Sequence, residues 1–479
     1  MLPKPNRMTR RALQELFARL ARTPGRLAVT SFLVAILLGT LVLCTPLCNA
    51  KDPRTGRRPW THPVDALFTA TSAVCVTGLI VKDTGGDWSL MGQLVILFLI
   101  QAGALGIMTI YAFLVGMLRK GLSMGFEHLL GHDLEAEPAG NVGPLIKFIC
   151  LFTLVAEVIG AVALFFSWRG SGNFEGFWDC AYHSVFHSIS AFCNAGFSLN
   201  SGSLMSYQDS LPVNAVIWGL IIAGGLGFLV VRNLARYAKW WLLHRRGRRP
   251  KLTVHTRLVL TMTVALLLVG FFAAFASLGR DSLSDDSLRT RVLASAFQSV
   301  TPRTAGFNTV QTSTLAHSAL LLVMAMMFVG GSPGSTAGGV KTSTIGVMLA
   351  SIHATAHGRG QAEVFHHSVR QETVHRVASI ILLSVAVLVT GMFLLLISER
   401  ELITSGEFGF LDVAFEATSA FGTVGLSLGI TPKLSLAGRL IVPLLMFVGR
   451  LGPVTLMMTA VVGSTRAPYT YPEGQILVG

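Results

Sequence analysis

Four stretches of this chain decide its fold: TSAVCVTGL at 71–79, ISAFCNAGF at 189–197, SVTPRTAGF at 299–307 and TSAFGTVGL at 418–426. Aligned on Gly78, Gly196, Gly306 and Gly425, they recur at intervals of about 110 to 120 residues, the mark of a repeat architecture. Leu or Phe follows each glycine. Ser stands six places before it in three units (Ser72, Ser190, Ser419), and Phe ten places before it in three (Phe68, Phe186, Phe415). A second register runs behind the first. About 25 residues beyond each glycine comes G-x-x-G, at Gly103/Gly106, Gly224/Gly227, Gly331/Gly334 and Gly449/Gly452. Close helix packing is the plainest use of that second motif.

Working outward, long apolar runs flank each stretch, at 27–47, 89–118, 148–168, 211–231, 258–278, 316–340, 377–398 and 440–462. Each is long enough to span a bilayer as a helix. Between the members of each pair lies a shorter semi-polar stretch, near 63–77, 178–193, 287–301 and 408–421. These are too short to span and suit re-entrant helices. The expected fold is an all-α integral membrane protein with eight transmembrane helices and four re-entrant pore helices. They form four helix–pore loop–helix repeats around a pseudo-fourfold pore. The repeats are expected at 27–118, 144–236, 256–358 and 375–463, with an N-terminal arm at 1–26 and a C-terminal tail at 464–479.

Composition agrees with a lipid-facing surface. Hydrophobic residues make up 52% of the chain and charged residues 13%, and the mean hydropathy is +0.61; soluble domains carry about twice that charge. The net charge of +14 raises the question of nucleic acid. The basic residues, however, cluster at the ends of apolar runs, so no nucleic-acid partner is expected and the positive-inside rule applies. The arm (Lys4, Arg7, Arg10, Arg11, Arg19, Arg22, Arg26) and the 232–257 loop share one side with the C-terminus, which is therefore read as cytoplasmic. Lys51, Arg54, Arg57 and Arg58 argue weakly the other way. The chain is placed in the cell's inner (plasma) membrane as a multi-pass protein. The apolar run at 27–47 is too long for a secretory signal. The six cysteines show no metal-ligand spacing.

Four parallel units around one axis enclose a channel. Each short helix aims its carbonyl end at the centre, where its partial negative charge favours a cation. The extended segment after it offers backbone carbonyls in place of the ion's water shell, and a glycine there supplies a left-handed φ. The residues so assigned are Val76, Thr77 and Gly78; Asn194, Ala195 and Gly196; Thr304, Ala305 and Gly306; and Thr423, Val424 and Gly425. These four segments resemble the selectivity loops of the Trk/Ktr/HKT superfamily of potassium transporters. FVGGSPGSTAGGVKTST in the third repeat and FVGRLGPVTL in the fourth resemble that family's gate elements. With one spanning run before the first loop, the chain is most similar to the membrane subunit of a Ktr-type potassium uptake system. The resemblance implies potassium uptake through a selective, gated pore, with K+ at the filter carbonyls and sodium dependence left open. It also implies a homodimer and a cytosolic nucleotide-binding ring of separate chains; no cofactor is expected in this one.

The stretch 330–341 breaks the third inner helix by its own composition, with five glycines and Pro333 in GGSPGSTAGG. It is expected to form an intramembrane gating loop of Gly331, Ser332, Pro333, Gly334, Ser335, Thr336, Ala337, Gly338 and Gly339, with Lys341 and Arg450 as charged gate residues. A phosphate-binding loop is a poor match, because Val340 separates Gly339 from Lys341 and no strand precedes it. Intramembrane charge carries function by default. Glu157 is expected to pair with a neighbouring cation, and Arg303 to turn away from the ion path and hold pore-helix ends. His183 and His187, four apart, could hold a metal but read more simply as a hydrogen-bonding face. Two rivals remain: a secondary cation transporter, whose repeats would be two and inverted, and a membrane-embedded enzyme, for which no converging acid, base and nucleophile is found. No enzymatic activity is expected.

Overall fold

In the computed structural model, the structure describes residues 24–51, 56–120, 143–170, 174, 176–243, 250–278 and 287–453. The N-terminal arm up to residue 23, the C-terminal tail and the end of the fourth repeat beyond 453 lie outside them, as does part of the basic 232–257 loop.

The described chain is helical apart from a two-residue hairpin of β1 (Glu363–Val364) and β2 (His367–Ser368). A pattern of long helix, short helix and long helix runs through it repeatedly. First come α1 (Pro24–Leu43), α2 (Pro63–Val74) and α3 (Leu90–Lys120). Next are α4 (Gly143–Trp168), α5 (Phe177–Phe192), α6 (Leu211–Gly225) and α7 (Phe228–Leu242). Then follow α8 (Val254–Leu278), α9 (Leu288–Val300), α10 (His317–Phe328) and α11 (Thr342–Ala356). Last are α12 (Gln371–Ser398), α13 (Arg400–Thr404), α14 (Phe410–Gly422) and α15 (Gly438–Leu451). Among the described residues, α1, α3, α4, α8 and α12 are long and apolar enough to cross a membrane, and α6 with α7 form a bent sixth candidate.

Burial follows from the sequence pattern. The long outer helices turn Leu37, Phe166, Phe272 and Phe393 outward, each at least 58% exposed, which suits a hydrocarbon surroundings and no aqueous one. The short helices α2, α5, α9 and α14 sit inside, with Phe68, Phe186, Phe297 and Phe415 almost fully buried. Their packing is cyclic. The inner helix of each unit lies against the short helix of the next: α3 on α5, α6 on α9, α10 on α14, and α15 back on α2. An ion pair closes the same seam, since Arg439 Nη1 of α15 lies 2.7 Å from Asp65 Oδ1 of α2.

Two expected spans are not continuous. The run 316–340 is helical only to Phe328, and the helix resumes at Thr342, as the glycine-rich composition foretells. The run 211–231 was expected unbroken, yet α6 ends at Gly225 and α7 leaves it at 108°. Gly227 stands at the corner with φ 80° and ψ 146°. Its aligned counterparts Gly334 and Gly452 also have left-handed φ, at 72° and 83°. In the first unit Gly106 stays inside the continuous α3.

Candidate functional site

Each short helix ends in the same backbone figure. Two places before the glycine stands a residue with left-handed φ: Val76 (56°), Asn194 (58°), Thr304 (69°) and Thr423 (50°). The glycine follows with a second one: Gly78 (92°), Gly196 (69°), Gly306 (77°) and Gly425 (92°). An L-residue in that region costs about 1–2 kcal/mol, so four such residues in register are held there by their surroundings. Part of the hold comes from the preceding helix. The N–H groups of Thr77, Ala195 and Val424 reach back to the carbonyls of Ser72, Ser190 and Ser419 at 2.8, 2.7 and 2.9 Å, and Ala305 reaches that of Thr301 at 3.0 Å. The recurring serines add more: Ser72 and Ser419 Oγ each accept from the glycine N–H at 3.1 Å. Ser190 Oγ instead donates to the Phe197 carbonyl at 2.7 Å, and Thr301 donates to that of Phe307.

The four loops close a ring. A Cβ built on Gly78 would meet the carbonyl oxygen of Ala195; on Gly196, that of Ala305; on Gly306, that of Val424; and on Gly425, that of Thr77. Each glycine thus abuts the carbonyl before the next glycine, around all four units and back to the first. The neighbouring glycine Cα lies 3.0–3.3 Å from each such Cβ. No side chain fits, and each position's φ disfavours one. The G-x-x-G glycines serve the same packing. A Cβ on Gly103, Gly224 or Gly449 would overlap the carbonyl oxygen of Val74, Phe192 or Phe421, each four places before its loop glycine. In the third unit Gly331 abuts Ala337 and the Gly225 carbonyl instead.

Beneath the ring lies the glycine-rich loop, buried along most of 330–340. It exchanges hydrogen bonds with the broken second inner helix. Ser332 N donates to Gly225 O at 3.0 Å, Thr336 N to Gly224 O at 3.2 Å, and Phe228 N to Gly334 O at 3.2 Å. Ser332 Oγ donates to Leu226 O. Upward, Thr336 Oγ1 accepts from Asn194 Nδ2 at 2.8 Å and donates to Phe192 O at 3.2 Å. Gly338 abuts the Thr423 side chain, so a Cβ there would overlap its hydroxyl. Lys341 Nζ turns back on its own loop, donating to Ala337 O at 2.7 Å and Gly338 O at 3.3 Å. Arg450, 3% exposed, donates from Nη1 to Thr336 O and from Nη2 to Gly103 O at 3.4 Å. The gate residues named from the sequence are therefore brought together, directly below the four loops.

Other charged residues differ from expectation. Among the described residues Glu157 forms no ion pair; its carboxylate accepts from Gln101 Nε2 at 3.3 Å and contacts Cys193 Sγ at 3.8 Å, so an uncharged amide and a thiol stand where a cation was expected. Arg303 is buried and turned away, lining a small cavity with Ile221, Thr263 and Val300. Its Nε has no hydrogen-bond partner among the described residues, so the expected tie to pore-helix ends is not made through that atom. His187 hydrogen-bonds His183 O and Ser198 Oγ, at 2.8 and 3.0 Å. Sequence reasoning missed Glu416, 1% exposed in α14, and the outer-helix glycines Gly39, Gly160, Gly270 and Gly391, each against a neighbouring helix's side chain. The latter form a third register that was open to inspection in the same alignment.

Comparison with known proteins gives the family and the fold. The chain is 38% identical over 468 residues to the potassium/sodium uptake protein NtpJ of Enterococcus hirae, covering 95% of this chain and 97% of that one. It is 35% identical over 462 residues to the Ktr system potassium uptake protein B of Bacillus subtilis, covering 95% and 97%. In fold it is similar to the crystal structure of the potassium transporter TrkH from Vibrio parahaemolyticus, with a TM-score of 0.66 at 20% identity over 90% of this chain and 83% of that one. Residues 52–467 match the family described as TrkH, cation transport protein. The chain is a multi-pass membrane protein and belongs to the TrkH family of cation transport proteins.

Proposed function

We propose that this chain carries potassium ions into the cell through a pore at the centre of the four loops, as the membrane subunit of a Ktr-type uptake system. One observation carries the reading: the closed ring in which each loop glycine abuts the next loop's carbonyl. On this reading the ring turns its backbone oxygens to one axis, where they can replace the water shell of a monovalent cation. The helix ends behind them add partial negative charge. On this reading the filter is Val76–Gly78, Asn194–Gly196, Thr304–Gly306 and Thr423–Gly425. The spans are α1, α3, α4, α6, α8, interrupted α10–α11, α12 and α15, with α2, α5, α9 and α14 re-entrant. The loop 331–339, Lys341 and Arg450 form the gate.

The names of the relatives support potassium as cargo and leave sodium as a second cation. The word "system" in one relative's name supports a multi-component assembly. We extend this to a homodimer with a separate cytosolic nucleotide-binding ring and to an inner-membrane location with cytoplasmic termini. The test is uptake of rubidium by proteoliposomes of this chain, with potassium, sodium and lithium as competitors. Selective inhibition by potassium is expected; equal inhibition by all three ions refutes the filter reading. Dependence of uptake on sodium would identify a coupled carrier in place of a gated pore.

A further inference from the structure

Two of the four loops carry a brace that the other two lack, and it is built twice from different chemistry. Nine places before the loop glycine, on the inward side of the short helix, stand Thr69, His187, Phe297 and Glu416. Two places after the glycine stand Ile80, Ser198, Asn308 and Ser427. In the second unit His187 Nε2 meets Ser198 Oγ at 3.0 Å. In the fourth, Ser427 Oγ donates to Glu416 Oε2 at 2.8 Å.

The two arrangements share the serine and its turn, and in the fourth unit Thr431 Oγ1 adds hydrogen bonds to Glu416 Oε1 and Ser427 Oγ. Each serine also accepts a hydrogen bond from the backbone N–H two residues on: Asn200 N at 3.0 Å in one, Gly429 N at 3.0 Å in the other. Each hydroxyl thereby closes a local turn as acceptor and offers its proton to the short helix, although for Ser198 the Asn200 carbonyl, 3.1 Å from its Oγ, is a second acceptor. The other end must be an acceptor. Glu416 is one as a carboxylate. His187 is one by tautomer: its Nδ1 lies 2.8 Å from the His183 carbonyl, which can only accept, so Nδ1 carries the hydrogen and Nε2 is free to receive. Both side chains are buried, His187 at 0% and Glu416 at 1% exposure, where an unmade hydrogen bond is costly.

The remaining loops are held otherwise. Thr69 Oγ1 bonds the Asp65 carbonyl of its own helix, at 2.9 Å, and Phe297 offers no hydrogen bond. Asn308 is instead tied through its backbone to the second unit, its carbonyl accepting from Leu204 N at 3.0 Å. The ring runs in chain order, so loops two and four face each other across the centre.

We propose that His187–Ser198 and Glu416–Ser427 are positioning pairs for ion selection, fixing two opposite loops so that their carbonyls hold the spacing a potassium ion needs. The inference rests on the filter reading above. Neither member touches the ion; each acts by restraining the chain immediately beyond the glycine. Backbone carbonyls that relax by a few tenths of an ångström accommodate a smaller ion, so loss of a brace lowers discrimination before it lowers transport.

The experiment measures the ratio of potassium to sodium needed to halve rubidium uptake in proteoliposomes, with folding checked by size-exclusion profile. Ser198→Ala and Ser427→Ala are each expected to reduce the ratio about fivefold, the factor corresponding to one hydrogen bond of ordinary net strength, and Glu416→Leu, which also loses the bond from Thr431, at least as much. Glu416→Gln keeps a carbonyl acceptor and is expected to retain most of the preference. Thr69→Val, at the equivalent place in the first unit, is expected to leave it unchanged. Gly425→Ser is run alongside. If Gly425→Ser shifts the ratio but the serine variants do not, the bracing role is overturned and the filter reading stands. Failure of Gly425→Ser to shift it overturns both. A loss in Glu416→Gln as deep as in Glu416→Leu, or an equal loss in Thr69→Val, also overturns the brace.

Discussion

Replacing Arg450 with alanine should open the pore without changing what it selects. The guanidinium is buried and donates to Thr336 O in the loop and to Gly103 O in α3. A charge-assisted hydrogen bond of this kind is worth about 2 kcal/mol. Its loss should raise the fraction of molecules with the loop displaced by about thirtyfold. The charge acts separately: at about 6 Å and an effective dielectric near 20, it repels a passing cation by about 3 kcal/mol, about a hundredfold in occupancy. Arg450→Ala removes both effects, whereas Arg450→Lys keeps the charge and loses the planar fork. Rubidium flux into liposomes holding this chain alone should therefore rise in the order parent, Arg450→Lys, Arg450→Ala. The potassium-over-sodium ratio should stay constant, because the hydrogen bonds of Arg450 go to Thr336 and Gly103 and not to the four-glycine ring. If both variants conduct no faster than the parent while remaining folded, the loop is a structural kink and the gate lies elsewhere.

Deleting 334–339 should raise basal rubidium flux at least as far as Arg450→Ala; an unchanged flux removes the loop from the permeation path. Gly78→Ser places a side chain on the Ala195 carbonyl at a φ of 92°. It should lower potassium preference in the competition assay, and an unchanged profile removes Gly78 from the filter. Gly103→Val drives a branched side chain into the Val74 carbonyl, an overpacking cost of at least about 1–3 kcal/mol; thermal-shift measurement should show a lowered midpoint, and a parental midpoint would mean α3 can move away from α2. Asp65→Asn weakens the partly buried ion pair to Arg439, whose side chains are 13% and 26% exposed. It should cost about 1.5–3 kcal/mol, visible in the same thermal assay and with selectivity unaltered.

Much of this architecture was legible because it rests on local chemistry repeated four times. A glycine that must take a left-handed φ announces itself when its neighbours align, and Pro333 with five glycines cannot continue a helix in any surroundings. What stayed hidden depends on partners distant in sequence. Glu157 shows in the sequence as a charge in an apolar run, but Gln101 and Cys193 reach it from two other helices. Glu416 escaped notice because its stretch is already semi-polar, so one carboxylate there gives no contrast. Arg303 showed itself as a charge beside the ion path; the cavity it turns into is formed by α6 and α8.

The break in α6–α7 is the clearest case of a structure decided by non-local bonds. In an uninterrupted helix the carbonyls of Gly224, Gly225 and Leu226 would serve the N–H groups four residues on. Here the loop takes them: Thr336 N and Ser332 N bond Gly224 and Gly225, and Ser332 Oγ bonds Leu226. In return Gly334 O accepts from Phe228 N. Apolar periodicity runs straight through 211–231, and Gly224, Gly225 and Gly227 weaken a helix there by about 1 kcal/mol each without fixing the direction in which the chain leaves. The exchange ties two events together. The loop cannot leave its place without orphaning carbonyls at the corner of α6 and α7, each worth about 1–3 kcal/mol when buried and unpaired, unless water or a re-formed helix takes them. A loop beneath the four glycines and the direction of α7 are thus set by one shared group of backbone hydrogen bonds.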